Sequence, residues 1–352
     1  MVMYPHVSII ILNWNNWRCT LECLESLYRI DYDNFSVILV DNHSSDDSIT
    51  HIERYCTGEE QIFSKFFPVR TLINKINLTK IQGESNVNHI YPLSFHEVNG
   101  TPSSKNHLLL IENDRNYGFA EGNNIGIRFA LEYFSSEYFL LLNNDTIQDP
   151  KFLKNLIEGI LKYPLAGFAG PKIYYYDYNG RSDIINHAGV MLNMWIGISI
   201  HRGDKTLDIG QYNQIKEVDS LTGACLLVRR DVIKKIGLLN PDYFLYWEET
   251  DWCIRGHHIG FSCVYLPSSK IWHHLGSSAQ GLTYQYYYTR NRFWFIRKHA
   301  TIPQIITFLF FFFFMDLWYN LFRLILLGKF HKNTLFAFFE GIYDGISRKS
   351  LN

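Results

Sequence analysis

Three apolar segments, each ending in a cluster of Asn and Asp, constrain this chain more than any other feature. Residues 7–12 (VSIIIL) run into Asn13-Trp14-Asn15-Asn16, residues 37–40 (VILV) into Asp41-Asn42-His43-Ser44, and residues 138–142 (YFLLL) into Asn143-Asn144-Asp145. Near-continuous apolar runs of this length are the pattern of strands buried on both faces of a parallel sheet. Polar and acidic residues at the C-terminal ends of such strands lie where open α/β sheets bind their ligands. Far downstream a further acidic cluster appears, Glu248-Glu249-Thr250-Asp251. The first reading is a nucleotide-handling α/β enzyme with a second acidic centre.

The segments between these strands support an alternating arrangement. Residues 17–29 carry Leu21, Leu24, Leu27 and Tyr28 at helical spacing, and Ser44–Asp47 can start a second helix. Strand–helix–strand alternation calls for right-handed crossovers. Further helices are expected over 122–133, 150–163, 231–236, 251–258 and 284–299. Further strands are expected over 108–111, 166–173, 190–200, 218–229 and 261–266, with His273 onward as a loop. Residues 57–107 break the rhythm, and a structureless loop of that length is unusual in a compact domain. They read as an insertion with structure of its own or as a lid. In Asn116-Tyr117-Gly118-Phe119-Ala120-Glu121-Gly122-Asn123-Asn124-Ile125-Gly126 the glycines are spaced G-x3-G-x3-G. That is not the dinucleotide fingerprint, which disfavours a nucleotide-binding oxidoreductase. These glycines line one helix face and suit either tight packing or close ligand approach.

Composition removes several other classes. A net charge of −1 gives no general drive toward nucleic acid. Six scattered cysteines without a CxxC pair argue against a disulfide framework, and Cys253, His257, His258 and Cys263 match no zinc spacing. The N-terminal apolar run is only strand length and lacks a basic flank, so no signal peptide is expected and the active site is expected in the cytosol.

Residues 305–327 stand apart. They are long enough to span a bilayer, but Asp316, Asn320 and Arg323 make a simple span costly. A helix or helical hairpin lying on the membrane surface is the first reading; a true span and a buried or oligomer-forming helix are the alternatives. Lys329, Lys332, Arg348 and Lys349 suit an anionic cytoplasmic leaflet. The organisation expected is therefore a catalytic domain over 1–300, with the insertion near 57–107, and a C-terminal helical segment over 301–352.

Six motifs in order, VSIIILNWNNW, VDNHSSDDS, NYGFAEGNNIGI, LLLNNDT, TGACLLVRRDVIKKIGLLNPDYFLYWEETDWCIR and IWHHLGSS, resemble family 2 inverting glycosyltransferases, most of all rhamnosyltransferase-like members. The resemblance covers residues 7–297 apart from the insertion. It implies a GT-A fold, a mostly parallel Rossmann-like sheet flanked by helices. It also implies a dTDP- or UDP-linked sugar donor, Mn²⁺ or Mg²⁺, and single displacement with inversion onto a glycan or lipid-linked saccharide at the cytoplasmic face of the membrane. Oligomerisation is left open.

Residue by residue, the resemblance places Asp145 at the last acidic position of the DxD signature, with Asn143 where the first Asp usually stands. A carboxylate at a strand end suits a hard divalent ion. His273, in H-x-x-G-x-S with Gly276 and Ser278, falls at a family metal-binding histidine, with His274 as a competitor. Asp41 is placed to accept from N3–H of a uracil or thymine, and Asn13 and Asn15 to hold the nucleotide. Asn116, Gly118, Gly122 and Asn123 approach a phosphate or base edge, or simply pack. Glu249 takes the place of the general base, with Glu248 beside it and Asp251 orienting acceptor or base. Acids also gather in first helical turns to complement the dipole. Arg290 and Arg292 are candidates for pyrophosphate or lipid phosphate, or for interface pairing. The rival reading is a non-catalytic carbohydrate-binding scaffold on a degenerate transferase fold, motivated by Asn143 and by Glu249 in place of Asp.

Overall fold

The computed structural model describes residues 4–68, 75–83, 106–274, 282–326 and 332–347. The first half alternates as expected: β1 Val7–Asn13, α1 Trp17–Leu27, β2 Phe35–Asp41, α2 Ser48–Thr57, β3 Asn77–Gly83, β4 His107–Asn113, α3 Gly118–Tyr133 and β5 Tyr138–Asn143. A short β6, Thr146–Gln148, precedes α4, Phe152–Ile160. The second half is richer in antiparallel pairing: β7 Ala166–Tyr175, β8 Ile184–His187, β9 Val190–Asn193, β10 Ile198–His201, β11 Thr206–Leu207, β12 Lys216–Val218 and β13 Cys225–Arg229. Then come α5 Arg230–Ile236, α6 Glu248–His258, β14 Ser262–His273, α7 Leu282–His299, α8 Ile302–Phe311, α9 Leu317–Leu326 and α10 Lys332–Ser347.

The main sheet runs β11-β8-β7-β13-β5-β1-β2-β4-β3. Strands β5, β1, β2, β4 and β3 are mutually parallel, and β13 enters antiparallel between β5 and β7. Alternation along β1 divides the core. Ile9 and Ile11 face the cluster under α1, α2 and α4, and Ile10 faces the cluster under α3, α5 and α6. All three are fully buried. Each contributes roughly 1.5–3 kcal/mol, which pins the register and aligns the polar strand ends: Asn13 stands opposite Asp41, and Leu12 opposite Asn143.

Several expectations change. The insertion contributes the edge strand β3 at residues 77–83. Residues 190–200 form the hairpin β9–β10 rather than one strand, turning through Gly197 at φ +61°. Residues 218–229 divide into β12 and β13 because the segment through Thr222–Gly223 leaves β14 for β5. Helices α3 and α6 begin three or more residues earlier than periodicity suggests, at Gly118 and Glu248. Strand β14 continues through His273 instead of ending at Leu266. Helix α10 lies within the C-terminal helical segment expected over 301–352. It and α8 join a third core in which Phe308, Phe312, Phe338 and Ile342 pack with Phe293–Ile296 of α7 and with Tyr243 and Trp247 beside α6.

Candidate active site

The loops after β1 and β2 are bound together at the edge of the sheet. Asn13, with no exposed surface, donates to Asp41 Oδ1 at 2.7 Å and to Ser44 Oγ at 3.1 Å. Its own oxygen accepts from Thr20 Oγ1 at 2.7 Å and from Asn144 Nδ2 at 3.3 Å. Asn13 therefore orients Asp41 from behind and has no face left for a nucleotide. Asp41 also accepts from Ser44 N and Ser44 Oγ at 2.9 and 2.6 Å; a carboxylate has about four acceptor positions, so a further donor can still be accommodated. Asn15, at φ +52°, accepts from the amides of Ser45 and Asp46 at 2.7 and 3.2 Å.

The NYGFAEGNN segment is held by internal hydrogen bonds and close packing. Asn42, which the sequence did not single out, organises it. Its amide donates to Asn116 Oδ1 and Gly118 O, and its oxygen accepts from Asn113 Nδ2 and Tyr117 N. Asn116 also takes the Gly118 amide at 2.8 Å. Gly118 lies at φ +76°, and a Cβ there would meet the Phe244 ring. The next two amides of α3, Phe119 and Ala120, donate to Phe244 O at 2.6 and 3.2 Å. This helix N-terminus is thus closed by a carbonyl and is not an open phosphate seat. A Cβ on Gly122 would lie 2.6 Å from Leu12 Cδ1, so Gly122 serves packing. Asn123 is buried and donates to Phe119 O.

Asp145 and His273 do come together, by register. Strand β6 pairs antiparallel with β14, placing His273 opposite Thr146. Asp145 Oδ1 lies 3.0 Å from His273 Nε2, and the His274 amide donates to Asp145 O at 2.8 Å. His273 Nδ1 is buried without a hydrogen-bond partner among the described residues. Gly276 and Ser278 lie outside the described residues. Asn143 is half-buried at the tip of β5, with its backbone N–H donating to Ala224 O.

A carboxylate that sequence reasoning missed stands alongside. Glu22 of α1 accepts from Tyr176 Oη at 2.9 Å, and its other oxygen lies 3.1 Å from His274 Nε2. His274 stacks on Tyr176 with centroids 3.4 Å apart. The only sequence signal was an acid on the buried side of an amphipathic helix. His274 is engaged there, which leaves His273 facing Asp145.

The pair fits a divalent ion shared with a substrate. Two ligands about 2.1 Å from one ion and at right angles lie about 3.0 Å apart, which is the Asp145–His273 separation. No group of three potential ligands exists among the described residues, so remaining positions would fall to phosphate oxygens and water, as hard ions shared with phosphates prefer.

The second acidic centre follows an irregular turn. Phe244, Tyr246 and Trp247 all have positive φ, at +63°, +71° and +74°, which costs of order 1–3 kcal/mol each for such residues. Glu248 and Glu249 open α6 directly afterwards. Glu248 is 3% exposed and Glu249 half-buried, and each has one carboxylate oxygen closed to solvent and without a partner among the described residues. Burial pushes the Glu248 carboxyl well up, and the charge of Glu249 adds to it. Burial also pushes Glu249 up, to about 7. The helix dipole favours ionised acids here, but desolvation outweighs it.

Asp251, expected to orient acceptor or base, is turned into the protein interior. It has no exposed surface. It meets His299 Nε2 at 2.7 Å, Arg255 Nε at 2.8 Å and Lys298 Nζ at 2.9 Å. Burial opposes its ionisation, but His299, Arg255 and Lys298 together hold the carboxyl well below the usual range. It fastens α6 to the end of α7.

Arg290 is likewise turned inward. It is buried, donates to the carbonyls of Asp242 and Tyr243, and lies over the Trp294 ring at 4.1 Å. Arg292 donates to Gly197 O and Ile196 O and pairs with Asp316 at 2.5 Å. Neither faces an open phosphate site.

Comparison with known proteins gives this geometry a context. The family model described as "Glycosyl transferase family 2" matches residues 8–82 and 98–237. Curated relatives include a low-salt glycan biosynthesis hexosyltransferase of Haloferax volcanii, 28% identical over 41% of this chain and 45% of its own length. An N-acetylglucosaminyl-diphospho-decaprenol L-rhamnosyltransferase of Mycobacterium tuberculosis is 27% identical over 42% of this chain and 50% of its length. A dTDP-rhamnosyl transferase of Shigella flexneri is 25% identical over 58% and 67%. The chain thus spans about half the length of the first of these relatives. Among solved structures, a mannosyltransferase from Pyrobaculum calidifontis in complex with GDP-mannose and Mn²⁺ superposes with a TM-score of 0.54 at 12% identity, covering 99% of this chain and 89% of that one. That likeness establishes the GT-A fold.

Proposed function

This chain belongs to glycosyl transferase family 2, and from that premise we propose that it transfers a sugar with inversion from a dTDP- or UDP-linked donor to a glycan or lipid-linked saccharide. Rhamnose is the first choice of sugar, because two relatives are rhamnosyltransferases by name. The observation that carries the proposal is that Glu248 and Glu249 each keep one buried carboxylate oxygen without a partner among the described residues, in a fold whose strand ends also hold the Asp145–His273 pair.

In this reading Asp41, fixed by Asn13 and Ser44, reads the pyrimidine edge, while Asn15 holds the loop beside it. Asn143 contacts the donor from the tip of β5. Asp145 and His273 hold Mn²⁺ or Mg²⁺ with the diphosphate; when bound, such an ion neutralises charge on the leaving group. Glu249 is the general base. Its oxygen takes the proton from the acceptor hydroxyl as that oxygen bonds to the anomeric carbon. The bond from that carbon to the donor phosphate breaks, and its electron pair leaves with the nucleoside diphosphate. A carboxyl raised toward neutrality is matched to proton removal near physiological pH. Glu248, more deeply buried, stays protonated beside it and limits repulsion.

The catalytic unit is proposed to sit on the cytoplasmic face of the membrane through its C-terminal helices. One described helix is long and apolar enough to cross a bilayer, Ile302–Phe322, and 11% of it is buried. Its exposed stripe is Ile302, Ile306, Phe310, Phe314, Trp318 and Phe322. The one acid in that helix, Asp316, is neutralised by Arg292. These features suit a helix lying in the interface.

The test is transfer from a dTDP- or UDP-sugar panel with Mn²⁺, using wild type and Glu249→Gln. The reading expects turnover by wild type and none by the variant. Full activity in Glu249→Gln overturns the base, and absence of turnover and of donor binding throughout favours a degenerate scaffold.

A further inference from the structure

Two consecutive residues of α7, Arg290 and Asn291, close over the turn that carries Glu249. Asn291 has no exposed surface. Its Oδ1 accepts from Arg290 Nε at 2.8 Å, which fixes the amide's orientation. The Asn291 NH₂ then faces three carbonyls, those of Tyr243, Leu245 and Tyr246, each at 2.8 Å. Arg290 Nη2 adds Asp242 O at 2.7 Å and Tyr243 O at 2.9 Å. The turn so gripped contains the positive-φ residues Phe244 and Tyr246 and leads through Trp247, also at positive φ, into Glu248 and Glu249.

Such a backbone persists only where surrounding contacts over-determine it, and Arg290 and Asn291 supply five hydrogen bonds to its carbonyls. Phe244 O, in the same turn, accepts the first amides of α3. Arg292, the next residue, ties α7 to Asp316 of the apolar C-terminal segment. The triplet therefore runs from the membrane-facing helices to the turn that aims the carboxylates.

We propose that Asn291, with its orientation set by Arg290, is a positioning residue that holds the Tyr243–Trp247 turn so that Glu249 points at the acceptor hydroxyl. This rests on Glu249 being the base. An amide is required at position 291 because two N–H bonds must meet carbonyl oxygens while the oxygen meets a guanidinium. An Asp of the same shape would set a carboxylate against three carbonyls.

The test uses full-length protein in detergent, with Asn291→Asp, the milder Asn291→Ser, and Glu249→Gln in parallel. Hydrogen exchange is read at the amides of residues 244–250 and, as an internal reference, at β1, β2 and β5. Turnover is read as nucleoside diphosphate release from dTDP-rhamnose with Mn²⁺. Asn291→Asp is expected to speed exchange in the turn by about tenfold or more while the reference strands keep their protection. It is expected to lower kcat about 100-fold with the donor KM within about twofold, since a small misplacement of a reacting group costs that much. Asn291→Ser, retaining one donor, falls between, and it decides the matter if the Asp variant does not fold. Unchanged exchange in the turn, or a raised KM with kcat intact, overturns the proposal. Wild-type turnover by Glu249→Gln removes the base reading instead, and the exchange result then decides whether the clamp exists.

Discussion

The two acidic centres of this molecule are held in opposite ways. Asp145 is buried against a histidine 3.0 Å away, and that histidine keeps a second ring nitrogen without a partner among the described residues. Glu248 is buried and Glu249 half-buried, yet each keeps an oxygen with no partner among the described residues, and desolvation drives both toward the protonated form. A third acid, Asp251, sits two residues beyond Glu249, and a hydrogen bond to His299 together with the charges of Arg255 and Lys298 holds its carboxyl well below the usual range. Carboxylates on the same short helix are thus pushed in opposite directions by their environments, and environment suits them to different work. The Asp145 centre suits holding charge that arrives with a substrate. The Glu249 centre suits taking up a proton, and Asp251 suits holding α6 in place.

The sharpest way to break this division is Glu249→Gln, for which turnover should fall by about 10²–10⁴-fold, the usual worth of a general base. Nucleotide binding should be unaffected. The same variant should be more stable at neutral pH by about 1 kcal/mol, because it removes a carboxylate held in an unfavourable site; a calorimetric melt checks this. Asp145→Ala should abolish Mn²⁺-dependent binding of dTDP or UDP, read by titration calorimetry, with little change in the metal-free melt.

Asp251→Ala tests the third role. It leaves Arg255, Lys298 and His299 without their shared partner and should cost about 3 kcal/mol in urea unfolding, as breaking buried pairs does, while binding of the nucleotide per molecule folded stays constant. The smallest effect concerns pH. Folded-state pKa values of Glu248 and Glu249 are raised, so the stability they contribute is fully present below about pH 4.3, their unfolded value, and is lost as pH rises toward neutrality. Asp251 is depressed, so its contribution is present above about pH 3.9 and is lost as pH falls below that. Melting temperature should therefore be highest in mildly acidic buffer, whereas turnover should rise through about pH 7 as Glu249 ionises. A turnover profile flat from pH 5 to 9 would contradict the assignment.

Much of this was legible in the sequence, and the reason is local. Strands buried on both faces announce themselves as unbroken apolar runs, so the strand-end positions of Asp41, Asn143 and Asp145 could be placed without a structure. The meeting of Asp145 with His273 rested on family resemblance alone, since their contact depends on the β6–β14 ladder across 128 residues. What the sequence left open shares one cause. Arg290, Asn116 and Asp251 look like ligand-binding residues because of their chemistry, but their partners are carbonyls, amides and cations brought from distant parts of the chain. Asn42, Glu22 and Asn291 were invisible for the same reason. A buried polar side chain and a binding side chain have the same composition, and only the partner tells them apart.

The measurement that tests the division of labour most directly is thermal stabilisation by dTDP and UDP, with and without Mn²⁺, on wild type, Asp145→Ala and Glu249→Gln side by side. The account predicts a metal-dependent shift in wild type and in Glu249→Gln, and none in Asp145→Ala. A full shift in Asp145→Ala, or its loss in Glu249→Gln, would show that the two centres do not divide the work in this way.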